Sequence, residues 1–106
     1  AGREAALLRA LGKAVESGDR GLAAQAQIKR GDILKKKGNP KEALVDGYLR
    51  VVTLFQSVEQ VQPEALFKAM QCFEELKEPT HAERMRKLLL GKYPQSEWAQ
   101  QARTGA

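Results

Sequence analysis

Cysteine and histidine each occur once in the chain, as Cys72 and His81. A lone cysteine excludes an intramolecular disulfide framework, and one residue of each kind is too few for a zinc site. It remains compatible with the periplasm, since an oxidising compartment permits disulfides without requiring them. Aromatic residues are also scarce: Tyr48, Phe55, Phe67, Phe73, Tyr93 and Trp98 in 106 residues. None interleaves with the basic cluster at 29–41, where a stacking platform for nucleic acid would need it. No apolar run approaches the roughly 18 residues of a membrane span, so no membrane insertion is expected within this segment. The glycines are scattered and form no phosphate-cradling motif. No signal peptide is present and the chain starts Ala1-Gly2 without Met, which predicts a domain excised from a longer protein.

What remains is a chain of 106 residues, 42% hydrophobic and 29% charged, enough for one small core. The formal net charge of +5 is unevenly placed. Residues 1–56 hold 11 basic and 6 acidic side chains, and residues 57–106 hold 7 of each. The excess centres on Lys29, Arg30, Lys35, Lys36, Lys37 and Lys41. Such a patch, taken as Arg30, Lys36, Lys37 and Lys41, has the field to attract a polyanion. The reading to prefer is a solvated helix end, where lysines complement the negative pole of the helix dipole.

The apolar spacing is helical nearly throughout. A first helix is expected over 3–16, with Leu8, Leu11 and Val15 on one stripe, ended by Ser17-Gly18-Asp19. Asp19 is a suitable N-cap for a second helix over 20–37, with Leu22, Ala26, Ile33 and Leu34 inward. Gly38-Asn39-Pro40 ends it, and Asn39 with Glu42 has capping-box spacing for a third helix over 40–55. Leu44, Tyr48, Val51, Val52 and Phe55 form its stripe. Ala43 and Gly47 beside that stripe would let a neighbouring helix approach closely. After a polar connection at 56–62, Pro63 opens a fourth helix carrying Leu66, Ala69, Met70, Phe73 and Leu76. Pro79 opens a fifth with Ala82, Met85, Leu88 and Leu89 inward, and a short sixth over 95–103 carries Trp98 and Ala102.

The two central helix pairs resemble each other. Gly31 to Ala43 and Met70 to Ala82 are both 12 residues, and Pro94 follows Ala82 by another 12. Leu34 and Phe73 stand three residues after the first member of each pair. This spacing resembles the tetratricopeptide repeat (TPR), with small residues where its two helices cross. Gln27 and Arg30 stand where that repeat carries apolar residues, and Gly47 where it often carries a large aromatic. Residues 40–102, about 60 of the 106, further resemble bacterial outer-membrane-associated TPR proteins. These include the Tol-Pal-associated periplasmic family and the lipoprotein of the β-barrel assembly machinery. The stretches PKEALVDGYLRVVTLF, PEALFKAMQCFEELKEPTHAERMRKLL and KYPQSEWAQQA carry the likeness, with Tyr93, Pro94, Ser96 and Ala99 in the repeat-closing pattern. The resemblance implies a periplasmic or cell-envelope-associated scaffold, with the cytoplasm as the alternative.

No catalytic constellation is evident, and no cofactor is expected. His81 lies at a helix start without a Cys or Ser partner, and Cys72 reads as a small core residue. Glu74, Glu75 and Glu78 read as a solvated helix end rather than an acid–base pair. The expected fold is all-α: about six helices in antiparallel hairpins, forming a right-handed TPR-like α-solenoid. One domain spans 1–106, with an N-terminal helix (1–19), repeats at 20–56 and 63–94, and a capping helix (95–106). Two repeats are few for stacking, so the end helices cap them, the array continues in a longer chain, or the domain forms a homo-oligomer. The resemblance places a protein or peptide on the face of the first helix of each repeat. Ile28, Asp32, Lys35, Phe67, Gln71 and Glu74 are the candidate contacts, with Gln25 and Glu64 beside them. Ile28 and Phe67, off the main stripes, are either exposed apolar contacts or covered by flanking helices. Ile28, Asp32 and Glu64 occupy positions where the repeat's carboxylate-binding clamp needs Lys, Asn and Lys, which argues against that clamp. The second expectation is an adaptor docking on nucleic acid or another polyanion, against which the placement of the aromatics argues.

Overall fold

The computed structural model describes residues 2–16 and 18–104. Ser17, expected in the first break, lies outside them, as do Ala1, Gly105 and Ala106. Six helices account for most of the described residues, and no strand occurs among them. Helix α1 is Gly2–Val15 and α2 is Arg20–Lys36. Helix α3 (40–54) begins as Pro40–Ala43, widens to π geometry over Leu44–Tyr48 and returns to α geometry over Leu49–Leu54. A 3₁₀ turn at Glu59–Val61 leads into α4, Gln62–Glu75. Helices α5, Pro79–Lys92, and α6, Glu97–Thr104, complete the chain. The widened stretch inside α3 was not legible in the apolar spacing.

Punctuation residues act through identifiable bonds. The Asp19 carboxylate accepts from the Leu22 amide at 3.0 Å, capping α2. Asn39 makes no side-chain cap bond, so the expected capping box does not form. Pro40 at the first position of α3 has no amide to satisfy. The turns after α2 and α4 close alike. Asn39 N donates to Leu34 O at 3.0 Å and Gly38 N to Lys35 O at 2.9 Å. Glu78 N donates to Phe73 O at 2.9 Å and Lys77 N to Glu74 O at 3.1 Å. Both are Schellman closures with a left-handed residue, Gly38 at φ 86° and Lys77 at φ 61°. Gly38 and Lys77 are 39 residues apart, the same offset as Gly31 and Met70.

Helices α2 and α3 form an antiparallel hairpin. Arg20, at the start of α2, donates to Leu54 O and lies 4.7 Å from the centre of the Phe55 ring. Further along α2, Gly31 meets Gly47. Helix α3 then packs on α4, α4 on α5, and α6 on both α4 and α5. One hydrophobic core runs through α2 to α6, including Ile28, Tyr48, Val51, Phe67, Phe73, Leu89 and Ala102. The radius of gyration, 13.4 Å, is close to the ~13 Å of a compact chain of this length.

Two inward assignments are corrected. Leu22 is 50% exposed, because α2 packs through a face centred on Ala24, Gln27, Ile28 and Gly31. Leu88 is 38% exposed, because Ala82, Met85 and Leu89 take the buried stripe of α5. Ile33 is half-buried. Helix α1 contributes no buried residue and meets the core mainly through half-buried Leu8.

Candidate functional site

The site is built on the hairpin crossing. A Cβ on Gly47 would stand 2.5 Å from the Gly31 Cα, and one on Gly31 would stand 2.7 Å from the Tyr48 ring. Only glycines allow α2 and α3 to lie this close with a tyrosine ring over the contact. The widened turn at Leu44–Tyr48 contains both Gly47 and Tyr48. Buried Gln27 donates its amide to the carbonyl of Asp46 within that turn. Gln27 and Gly47, residues 20 apart in the sequence, therefore act at one place. A second buried amide, Gln62, ties α4 to α3 by donating to Val51 O at 2.9 Å and Phe55 O at 2.8 Å.

Tyr48 carries its hydroxyl out of the core to donate to Asp32 Oδ1 at 2.5 Å. Burial and the adjacent carboxylate hold the phenol far above the ordinary tyrosine pKa, so the hydroxyl stays a donor. Lys68 reaches across from α4 and donates to Asp32 Oδ1 at 3.0 Å, Asp32 Oδ2 at 3.2 Å and Glu64 Oε2 at 2.7 Å. Burial by itself would lower this ammonium's pKa. Its hydrogen bonds to Glu64 and Asp32 outweigh that effect and raise it. The Lys68 ammonium also lies 5.6 Å from the centre of the Trp98 ring, which meets the Phe67 ring at 5.5 Å.

These side chains line a groove of about 330 Å³ between α2 and α4: Asp32, Lys35 and Lys36 on one wall, Lys68 and Gln71 on the other, Tyr48 from α3 between them. Lys35 spans the groove, donating to Gln71 Oε1 at 3.3 Å with Glu75 Oε1 at 3.8 Å. Beside it is a concavity of about 230 Å³ lined by Gln25, Ile28, Lys29, Val61 and Glu64. A slot of about 90 Å³ lies on the other side of α4, among Phe67, Gln71, Glu74, Arg86 and Gln101. A larger depression of about 670 Å³ lies along α5, lined by Pro79, Thr80, Glu83, Arg84, Lys87 and Leu88. Its described lining comes from one helix, so no second element converges polar groups on it.

The structure brings Asp32, Lys35 and Gln71 together as the sequence placed them, and sets Glu74 at the slot. Of the two alternatives for Ile28 and Phe67, the covered one holds: they are core residues, 4% and 8% exposed, and not open apolar contacts. Trp98 of α6 packs on Phe67. Ile28 faces the core from the packed side of α2. The basic patch divides. Arg30 is half-buried and donates to Leu8 O at 3.2 Å, so it fastens α1 to α2. Lys36, Lys37 and Lys41 are exposed. Lys68 and Tyr48 were missed as site residues. Glu64 and Lys68 are four apart on one helix, a pairing visible in the sequence, whereas the reach of Lys68 to Asp32 depends on how α2 and α4 are set.

Cys72 is fully buried, and burial pushes its thiol pKa up to about 11, which leaves it unreactive at neutral pH. His81 is exposed, with its ring centre 5.2 Å from that of Phe73 and Nε2 3.9 Å from Glu78 Oε1. Glu74, Glu75 and Glu78 are exposed. Among the described residues, no three His, Cys, Asp or Glu side chains gather as a metal ion would need. No described helix is long and apolar enough to cross a membrane. Compared with protein-family models, curated proteins and solved structures, the chain has no significant match to any of them.

Proposed function

We propose that the chain is a non-catalytic interaction scaffold of the TPR kind, holding a peptide or partner helix along the face between α2 and α4. The observation that carries this reading is the groove between those helices, together with the Ile28–Val61 concavity beside it. The matching closures at Gly38 and Lys77, 39 residues apart, support a repeated hairpin, and the Gly31–Gly47 crossing supports the close helix packing of such repeats. The place in the cell envelope follows from the resemblance of residues 40–102 and is part of the same proposal. The test is selection of random 12-residue peptides displayed on phage, followed by mapping of backbone amide shifts with a synthetic winner. Shifts centred on Asp32, Lys35, Lys68 and Gln71 are expected. Shifts confined to α1 or the outer side of α5, or no selected peptide, would sink the reading.

A second reading is favoured by the exposed Lys36, Lys37 and Lys41 at the junction of α2 and α3. It makes this junction a dock for nucleic acid or another polyanion. Binding of that kind weakens steeply and log-linearly with salt, and a Lys37→Gln/Lys41→Gln variant should abolish it.

A further inference from the structure

We propose that the groove between α2 and α4 receives the side-chain carboxylate of an acidic peptide segment on Lys35, Lys36 and Gln71. This inference rests on the scaffold reading and specifies the chemistry of its partner. Four ionised residues line the groove, three lysines against Asp32. Asp32 is already engaged, with Oδ1 accepting from Tyr48 and Lys68 and Oδ2 from Lys68. Lys68 is spent in turn, held between Asp32 and Glu64. The side chains with donors to spare are Lys35, Lys36 and Gln71. Lys35 gives one bond, at 3.3 Å to Gln71, and its nearest carboxylate, Glu75, is beyond hydrogen-bond distance at 3.8 Å.

Gln71 uses its oxygen for Lys35, and its amide nitrogen donates to no protein acceptor among the described residues. Lys36 is exposed and within 4.0 Å of no carboxylate among them. The groove therefore has donors in excess of acceptors, with Lys36 unpaired and Lys35 facing only the Glu75 carboxylate at 3.8 Å. A carboxylate supplies the missing acceptors and displaces only the loose Glu75 contact. A peptide fits better than a nucleic acid because, among the described residues that line the groove, no aromatic face is open for base stacking. Tyr48 is 1% exposed, and the Trp98 ring is taken by Phe67 and Lys68. The adjoining Ile28–Val61 concavity offers room for a flanking side chain.

The probes are random 12-residue displayed peptides selected on the wild-type chain, the best winner as a synthetic peptide, its copy with every Asp and Glu changed to Asn and Gln, and a 12-nucleotide oligothymidylate. Enrichment of Asp and Glu among the winners is expected, with about a tenfold loss of affinity for the amide copy. The Lys35→Gln/Lys36→Gln variant should bind both peptides alike, while Lys37→Gln/Lys41→Gln keeps the difference. Equal binding of the two peptides with shifts still on α2 and α4 would overturn the carboxylate site and leave the scaffold reading standing. Shifts away from the groove, or no winner, would overturn both. Tighter binding of the oligonucleotide than of the acidic peptide, lost in the Lys37→Gln/Lys41→Gln variant, would overturn both in favour of the polyanion dock. The comparison of peptide and amide copy on wild-type protein stands even if a variant fails to fold.

Discussion

Gly31 and Gly47 meet backbone to backbone: a methyl group on Gly47 would stand 2.5 Å from the Gly31 Cα. The Tyr48 ring covers this contact and delivers its hydroxyl to Asp32. Hairpin and groove thus share one point of closest approach.

Gly47→Ala should therefore force α2 and α3 apart and cost about 1–3 kcal/mol, as overpacking does. Gly91, in α5, has nothing within 4 Å of its would-be Cβ. There the same substitution should stabilise by about 0.5–1 kcal/mol through helix propensity. Urea unfolding of the two variants separates close packing from a general intolerance of alanine, and equal midpoints would contradict the crossing.

Lys77 holds a left-handed conformation that Gly38 holds in the matching turn. Lys77→Gly should raise stability by about 1 kcal/mol, since glycine adopts that φ without a Cβ penalty. A lower thermal midpoint in Lys77→Gly would refute the left-handed closure after α4.

Phe67 is packed against Trp98 in the core. Phe67→Ala should cost about 3–5 kcal/mol in urea unfolding, the range for a deleted core aromatic. A variant as stable as the wild type would favour the exposed alternative for Phe67 over the core position.

Alkaline pH should destabilise the fold. Cys72 has its pKa raised from 9.0 to about 11 by burial, so the unfolded chain loses that proton first and stability falls across that window. Tyr48 is raised by burial and Asp32, and acts in the same direction. Lys68 is also raised, its bonds to Glu64 and Asp32 outweighing burial, so its contribution is present below pH 10.5 and lost above. The urea midpoint should drop between pH 9 and pH 11, less so in Cys72→Ala. A flat profile over that range would contradict the Cys72 and Tyr48 environments.

Helix α1 has no buried residue. Its amides should exchange with deuterium faster than those of α4, where most residues are buried. Equal protection would mean that the Arg30–Leu8 bond and half-buried Leu8 hold α1 as firmly as the core.

The sequence by itself determined the all-helical character, the helix limits to within about two residues, and the breaks before Pro40 and Pro79. These depend on spacing and local backbone chemistry, which a chain carries without its fold. That Asp32, Lys35 and Gln71 share a face was only what the resemblance to the repeat implied. Tertiary structure decided the burial of Ile28 and Phe67, because α2 packs through an alanine-rich face that includes Gln27 and Ile28, and Trp98 arrives 31 residues beyond Phe67. It decided that Arg30 fastens α1, and that Lys68 bridges Asp32 and Glu64. It decided the widened turn of α3, where Gln27 meets Asp46 and Gly47 meets Gly31. Each of these is a contact between distant residues, set by how whole helices settle against one another, and apolar periodicity along one helix does not contain that information.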